Sequence, residues 1–127
     1  MDHNTKQREA VVRRITRRFR DTLQEWVQEV DESQDINLET LEAKVQEGLH
    51  TFGGQILQEL VDLVGTGKTE APVLCPKCGE AMELSRYPGK WVETLLGTIR
   101  PERAYFHCSR CHQGHVPLDH QLGLCYG

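Results

Sequence analysis

Two Cys-x-x-Cys pairs, Cys75/Cys78 and Cys108/Cys111, constrain this chain more than any other feature. Each pair fits a tight turn that aims two sulfurs at one point. The segment between them, residues 79–107 or 29 positions, is long enough for strands to bring the turns together. Four thiolates at about 2.3 Å form the closed tetrahedral shell that Zn²⁺ accepts in structural sites. Gly79, directly after Cys78, supplies the permissive backbone such a turn needs. The spacing therefore predicts one structural Zn²⁺ held by Cys75, Cys78, Cys108 and Cys111. A shell filled in this way leaves no open position for a catalytic water. His107, His112 and His115 lie close enough in sequence to replace a cysteine, but with four thiols present they read as exposed or supporting histidines. His120 falls outside the motif, and Cys125 reads as a non-ligand.

The surroundings favour metal over disulfides. The cysteine count is odd at 5, and the opening MDHNTKQREA has no apolar stretch of the kind an export signal carries. A cytoplasmic location is expected. No apolar run approaches the roughly 20 residues that span a bilayer, so no membrane partner is expected. The net charge of −4 hides a segregation: residues 1–20 carry seven Lys and Arg against two acids, whereas residues 21–70 carry two against twelve. Such asymmetry points to an interaction surface at the basic end. All five prolines lie after residue 71, with the cysteines. Two regions follow, a helical one over 1–68 and a zinc-ribbon domain over 69–127, joined at Gly65-Thr66-Gly67-Lys68-Thr69. That stretch resembles the end of a phosphate-binding loop but lacks its first glycine at the required spacing, and it reads as a linker.

Thr5–Val30 has the pattern of an amphipathic helix. Val11, Val12, Ile15, Phe19, Leu23, Trp26, Val27 and Val30 share one face, and Lys6, Arg13, Arg14, Arg17, Arg18 and Arg20 lie opposite. Asn37 is the expected N-cap of a second helix, in which Leu38, Leu41, Val45, Leu49, Phe52, Ile56, Leu60 and Leu63 repeat at three- and four-residue spacings. Gly53-Gly54 predicts a kink or break, or the close approach of another helix. Neither helix is stable with its apolar face uncovered, so the two are expected to pack on each other or on another copy, which makes a homodimer through the helical region one expected partner. Three short strands are then expected, Met82–Tyr87, Trp91–Leu96 and Thr98–His107, with Pro101 marking an edge or a bulge. The fold class is α+β: a hairpin of two long helices followed by a small four-cysteine ribbon of three antiparallel strands. The ribbon has too few large apolar residues to hold a core without its metal.

Arg13, Arg14, Arg17 and Arg18 on the first helix, and Arg100, Arg103 and Arg110 on the ribbon, are candidate nucleic-acid contacts, where cations displace the counterions of phosphates. The basic helix also reads as a solvated face neutralised by the acidic segment. On the ribbon these arginines, with Lys77, Arg86 and Lys90, interleave with Tyr87, Trp91, Tyr105 and Phe106, which equally read as ribbon core. Asp119, after Pro117-Leu118, reads as the cap of a short helix or turn rather than a catalytic carboxylate.

The cysteine half resembles a known family. Cys75-Pro76-Lys77-Cys78-Gly79, Thr94-Leu95-Leu96-Gly97, Arg103-Ala104-Tyr105-Phe106-His107-Cys108-Ser109-Arg110-Cys111, Gly114, Pro117-Leu118-Asp119 and Leu122-Gly123-Leu124 look like the zinc-binding N-terminal region of ISKra-type insertion-sequence transposases. The likeness covers residues 71–124 and is only general over the helices. It implies a zinc-ribbon module that binds double-stranded DNA at element ends, followed in the family by an RNase H-like domain with three acidic residues that hold Mg²⁺. The sequence ends at Gly127, just after the ribbon. The expectation is therefore a truncated or split transposase without enzymatic activity, a regulator or a partner of the catalytic part. Two other readings stay open: a rubredoxin-like iron protein for electron transfer, against which the basic helix and His112 in place of a glycine weigh, and an RNA-binding ribbon.

Overall fold

The computed structural model describes residues 2–124, with side chains from Thr5 onward, so Cys125 lies outside the described residues. The order of elements is α1 (Asp2–Glu32), α2 (Leu38–Val64), β1 (Glu83–Arg86), β2 (Val92–Thr94), β3 (Gly97–Ile99), β4 (Tyr105–His107), β5 (Gly114–His115) and α3 (Pro117–Gln121). Two long helices precede small antiparallel strands and a four-cysteine cluster, an α+β zinc-ribbon-like arrangement. The chain divides into two compact units: one runs through Leu63 and includes Glu93–Ile99, and the other takes Val64–Val92 and the residues from Arg100 onward.

In the first unit α1 is uninterrupted because nothing in it breaks the backbone ladder: it contains neither Gly nor Pro. Asn37 caps α2 as its side chain predicts, with Oδ1 accepting from Thr40 N at 2.9 Å while Thr40 Oγ1 accepts from Asn37 N at 3.4 Å. The helices run antiparallel. Arg14 meets Glu59, Phe19 stacks on Phe52 with ring centres 5.0 Å apart, Trp26 lies over Gly48, and Glu29 pairs with Lys44, one number rising as the other falls. Gly53-Gly54 does not break α2, contrary to one expectation. What approaches there is a β-turn: a Cβ on Gly54 would sit 2.6 Å from the carbonyl oxygen of Leu96. The helix-to-helix approach falls instead at Gly48, where a Cβ would overlap the Trp26 indole.

Leu95-Leu96 makes the two-residue turn between β2 and β3. Thr94 Oγ1 ties it, donating to Gly97 O at 2.6 Å and accepting from Leu96 N at 3.0 Å, and Gly97 takes a φ of +108°. The residues Glu93–Ile99, although inside the cysteine-rich half of the sequence, cluster with the helices.

The second unit holds a three-stranded sheet of order β1-β4-β5. Leu84 pairs with Phe106 and Phe106 with His115, and a bulge lies between Leu84 and Arg86. Where three strands are expected, the described residues form five. The span Thr98–His107 splits into β3 and β4, because the buried Pro101 offers no N–H and turns the chain out of the ladder. The ribbon's middle and outer positions go to β4 and β5, the latter absent from the sequence-based expectation. Cys75, Met82, Ala104, Phe106 and Cys108 form the buried core, joined by Val73, Cys78, Leu84 and Cys111. Thr66 O accepts from Ala104 N at 2.8 Å, and the backbone of Leu118 packs on Gly67, so the start of the expected linker is bonded into this unit.

Candidate metal centre

Each cysteine pair sits on a turn with the same hydrogen bonds. In the first, Gly79 N donates to Cys75 O and Cys75 N to Glu80 O, both at 2.8 Å. In the second, His112 N donates to Cys108 O at 2.7 Å and Cys108 N to Gln113 O at 2.9 Å. The residue closing each knuckle is left-handed, with φ of +78° at Gly79 and +57° at His112. His112 thus does the backbone work of a glycine, and the matching position of Gly79 in the first pair is the sequence signal for it. Histidine tolerates this region better than branched residues do.

The two knuckles face one another because β1 and β4 pair directly behind them, with Cys108 following β4. All four Sγ atoms lie within 4.8 Å of one another, and Cys78 Sγ is 3.6 Å from Cys108 Sγ. A tetrahedron with bonds of about 2.3 Å has an edge of about 3.8 Å, so the sulfurs stand close to the spacing one ion requires. The four are cysteines, so the donor set is soft thiolate throughout and suits zinc or iron. Among the described residues, no histidine joins this cluster. His107 and His112 face each other with ring centres 6.1 Å apart, and His115 lies 5.3 Å from His120.

The sulfurs differ in acidity. Backbone N–H groups of Cys78 and Lys77 point at Cys75 and lower its thiol from 9.0 to about 7. Cys111 is pushed up to about 12, first by its hydrogen bond with Cys78, then by burial and by the charge on that neighbour. Cys75 therefore loses its proton more readily than Cys111, and a bound cation favours the thiolate form of its ligands.

The candidate nucleic-acid contacts occupy separate places. Arg13, Arg17 and Arg18 are exposed on α1. Arg14 binds Glu59 at 2.8 Å, which realises part of the neutralisation expected from the acidic segment. Arg103 is directed inward, bonded to Asp119 at 2.7 Å with both side chains at most 15% exposed. Asp119 does not cap α3, whose N-cap is Val116; no local pattern marks its partner Arg103, because the pair is closed by the fold. Arg110 reaches Glu80 at 3.4 Å on the surface. Arg100 stacks over Trp91 at 5.5 Å and Arg86 over Tyr105 at 5.1 Å. Of the four ribbon aromatics, Phe106 is core, Tyr105 half-buried, and Tyr87 and Trp91 exposed, Trp91 to 72%. Comparison with known proteins returns no matching family model, curated protein or solved structure. No helix among the described residues is long and apolar enough to cross a membrane.

Proposed function

We propose that this protein is a non-catalytic zinc-ribbon module that binds double-stranded DNA, of the kind that insertion-sequence transposases use at element ends. The convergence of four cysteine sulfurs on two matching knuckles carries the reading. It makes the metal a structural staple, since four thiolates leave zinc no vacant position for water or substrate. Two surfaces then supply contacts for DNA. Arg13, Arg17 and Arg18 offer exposed cations to phosphates. Trp91, exposed beneath the Arg100 guanidinium, offers an aromatic face with a cation beside it. In this reading the DNA is the direct partner, the catalytic part of a transposase acts on the bound DNA, and the setting is the reducing cytoplasm, where free thiols persist.

The test is fluorescence anisotropy with the metal-loaded full chain against a labelled duplex, a labelled single strand and a structured RNA, at two salt concentrations, with and without chelator. Duplex binding that weakens with salt and is lost on chelation is expected. Duplex binding indifferent to chelation would remove the ribbon from the reading, and preference for RNA at equal salt would replace DNA as the partner. Metal analysis runs beside it. A colourless protein with one zinc per chain is expected, and a red, iron-containing one would restore the rubredoxin-like alternative.

A further inference from the structure

The helical hairpin leaves one apolar side uncovered. Among the described residues of its unit only Val11 and Ile99 are buried. Val12 is 63% exposed and Val27 67%, and Leu23 and Val30 are also exposed on α1; Leu38, Val45, Leu49 and Leu60 are exposed on α2. These residues are not scattered. At about 100° per residue, the stripe on α1 lies about 90° round the axis from the residues that touch α2, such as Trp26 and Glu29. The stripe on α2 lies about 90° from Gly48, Phe52 and Lys44, in the same rotational sense. For antiparallel helices an equal turn in the same sense brings both stripes to one side of the hairpin. The result is a single apolar face made by both helices.

Charge identifies what covers it. The open end of the hairpin, residues 1–20 and 52–64, carries seven Lys and Arg against four acids, while the loop end, residues 21–51, carries one against nine. Each hairpin is therefore basic at one end and acidic at the other. A second copy laid on the apolar face by a two-fold axis across the helices sets each basic end against an acidic one, α1 on α1 and α2 on α2, both antiparallel. A two-fold axis along the helices would stack acidic ends together and is disfavoured. In the crosswise two-fold the α1 stripe, Val12 to Val30, lies along its own copy, with its midpoint two residues from Leu23. In that arrangement Arg13 of one copy and Asp31 of the other flank the seam on the same outer edge; both are exposed.

We propose that the protein is a homodimer in which two helical hairpins pack through this face as an antiparallel four-helix bundle. The inference uses neither the metal nor DNA, so it stands or fails apart from the proposed function. Sedimentation of the metal-loaded full chain, with helicity followed by circular dichroism, tests it. The expected mass is twice the 14.5 kDa of the chain. Val27→Glu with Leu49→Glu is expected to give a monomer. Should that variant lose its helicity, the charge exchange decides. Arg13→Asp or Asp31→Arg alone weakens the dimer by about two- to tenfold, since each charge is used twice by symmetry, and the two together restore it. A wild-type monomer at every concentration overturns the dimer and leaves the face to another partner. A dimer strengthened by Asp31→Arg overturns the antiparallel arrangement.

Discussion

His112 and the four cysteines show how much rests on single backbone and sulfur atoms. A non-glycine residue in the left-handed region costs about 1–2 kcal/mol, and His112 stands there with its side chain exposed. His112→Gly is therefore expected to hold or raise the thermal stability of the metal-loaded protein by up to about 1 kcal/mol. Gly79→Val, at the matching position of the other knuckle, is expected to lower it by at least as much; differential scanning calorimetry reads both. Acidity follows from the sulfurs. With Cys75 lowered to about 7, its thiolate contributes stability to the metal-free fold above the ordinary value of 9.0 and loses it as pH falls through 7. Cys111, raised to about 12, acts in the opposite sense: the metal-free fold loses stability as pH rises from 9.0 toward 12. Metal affinity, measured by chelator competition, is expected to fall from pH 8 to pH 6, and more steeply below 7, where Cys75 must also give up a proton. An affinity flat across that range would mean the thiols are not the ligands.

Among the elements, α2 carries its glycines for contact rather than flexibility. Gly→Ala in a helix interior ordinarily stabilises by about 0.8–1.0 kcal/mol. At Gly53 the nearest atom to an added Cβ is Leu96 Cδ2 at 3.1 Å, the end of a side chain that can give way, so Gly53→Ala is expected to be near neutral. At Gly54 it is the Leu96 carbonyl oxygen at 2.6 Å, held by a turn whose Thr94 hydroxyl is already bonded. Gly54→Ala is therefore expected to destabilise by about 1–3 kcal/mol. Urea unfolding followed at the helical signal separates the two, and equal effects would sink the account of the β2–β3 turn. The heptad-like pattern and the Asn37 cap made α2 legible in the sequence. The turn that lies on it was not, because no local pattern marks a contact between residues 54 and 96.

At the scale of the whole molecule, the two units depend on different forces. Among the described residues the ribbon unit buries seven side chains, Cys75, Met82, Pro101, Ala104, Phe106, Cys108 and Leu118, two of them cysteines, a small core for a unit without a cross-link. A structural zinc held by the four cysteines, as proposed, would supply about 10–16 kcal/mol apparent at neutral pH, on the order of the whole stability of such a unit. Chelation is therefore expected to collapse the dispersed amide signals of residues 72–92 and 100–121 in a heteronuclear NMR spectrum while most helical ellipticity survives. Loss of both together would show that the helices need the metal too.

Local chemistry made much of this protein readable from its sequence. The Cys-x-x-Cys spacing marked the four sulfurs that converge, uninterrupted amphipathic periodicity marked both helices, and Asn37 marked where the second begins. These are short-range effects, set by bonding within a turn or a few residues. The tertiary structure alone decided which strands pair, that Pro101 parts β3 from β4, that residues 93–99 lie with the helices, and that Arg103 turns inward to Asp119. Each of these joins atoms far apart in sequence, where the free energy depends on what the rest of the chain buries and no local pattern records it.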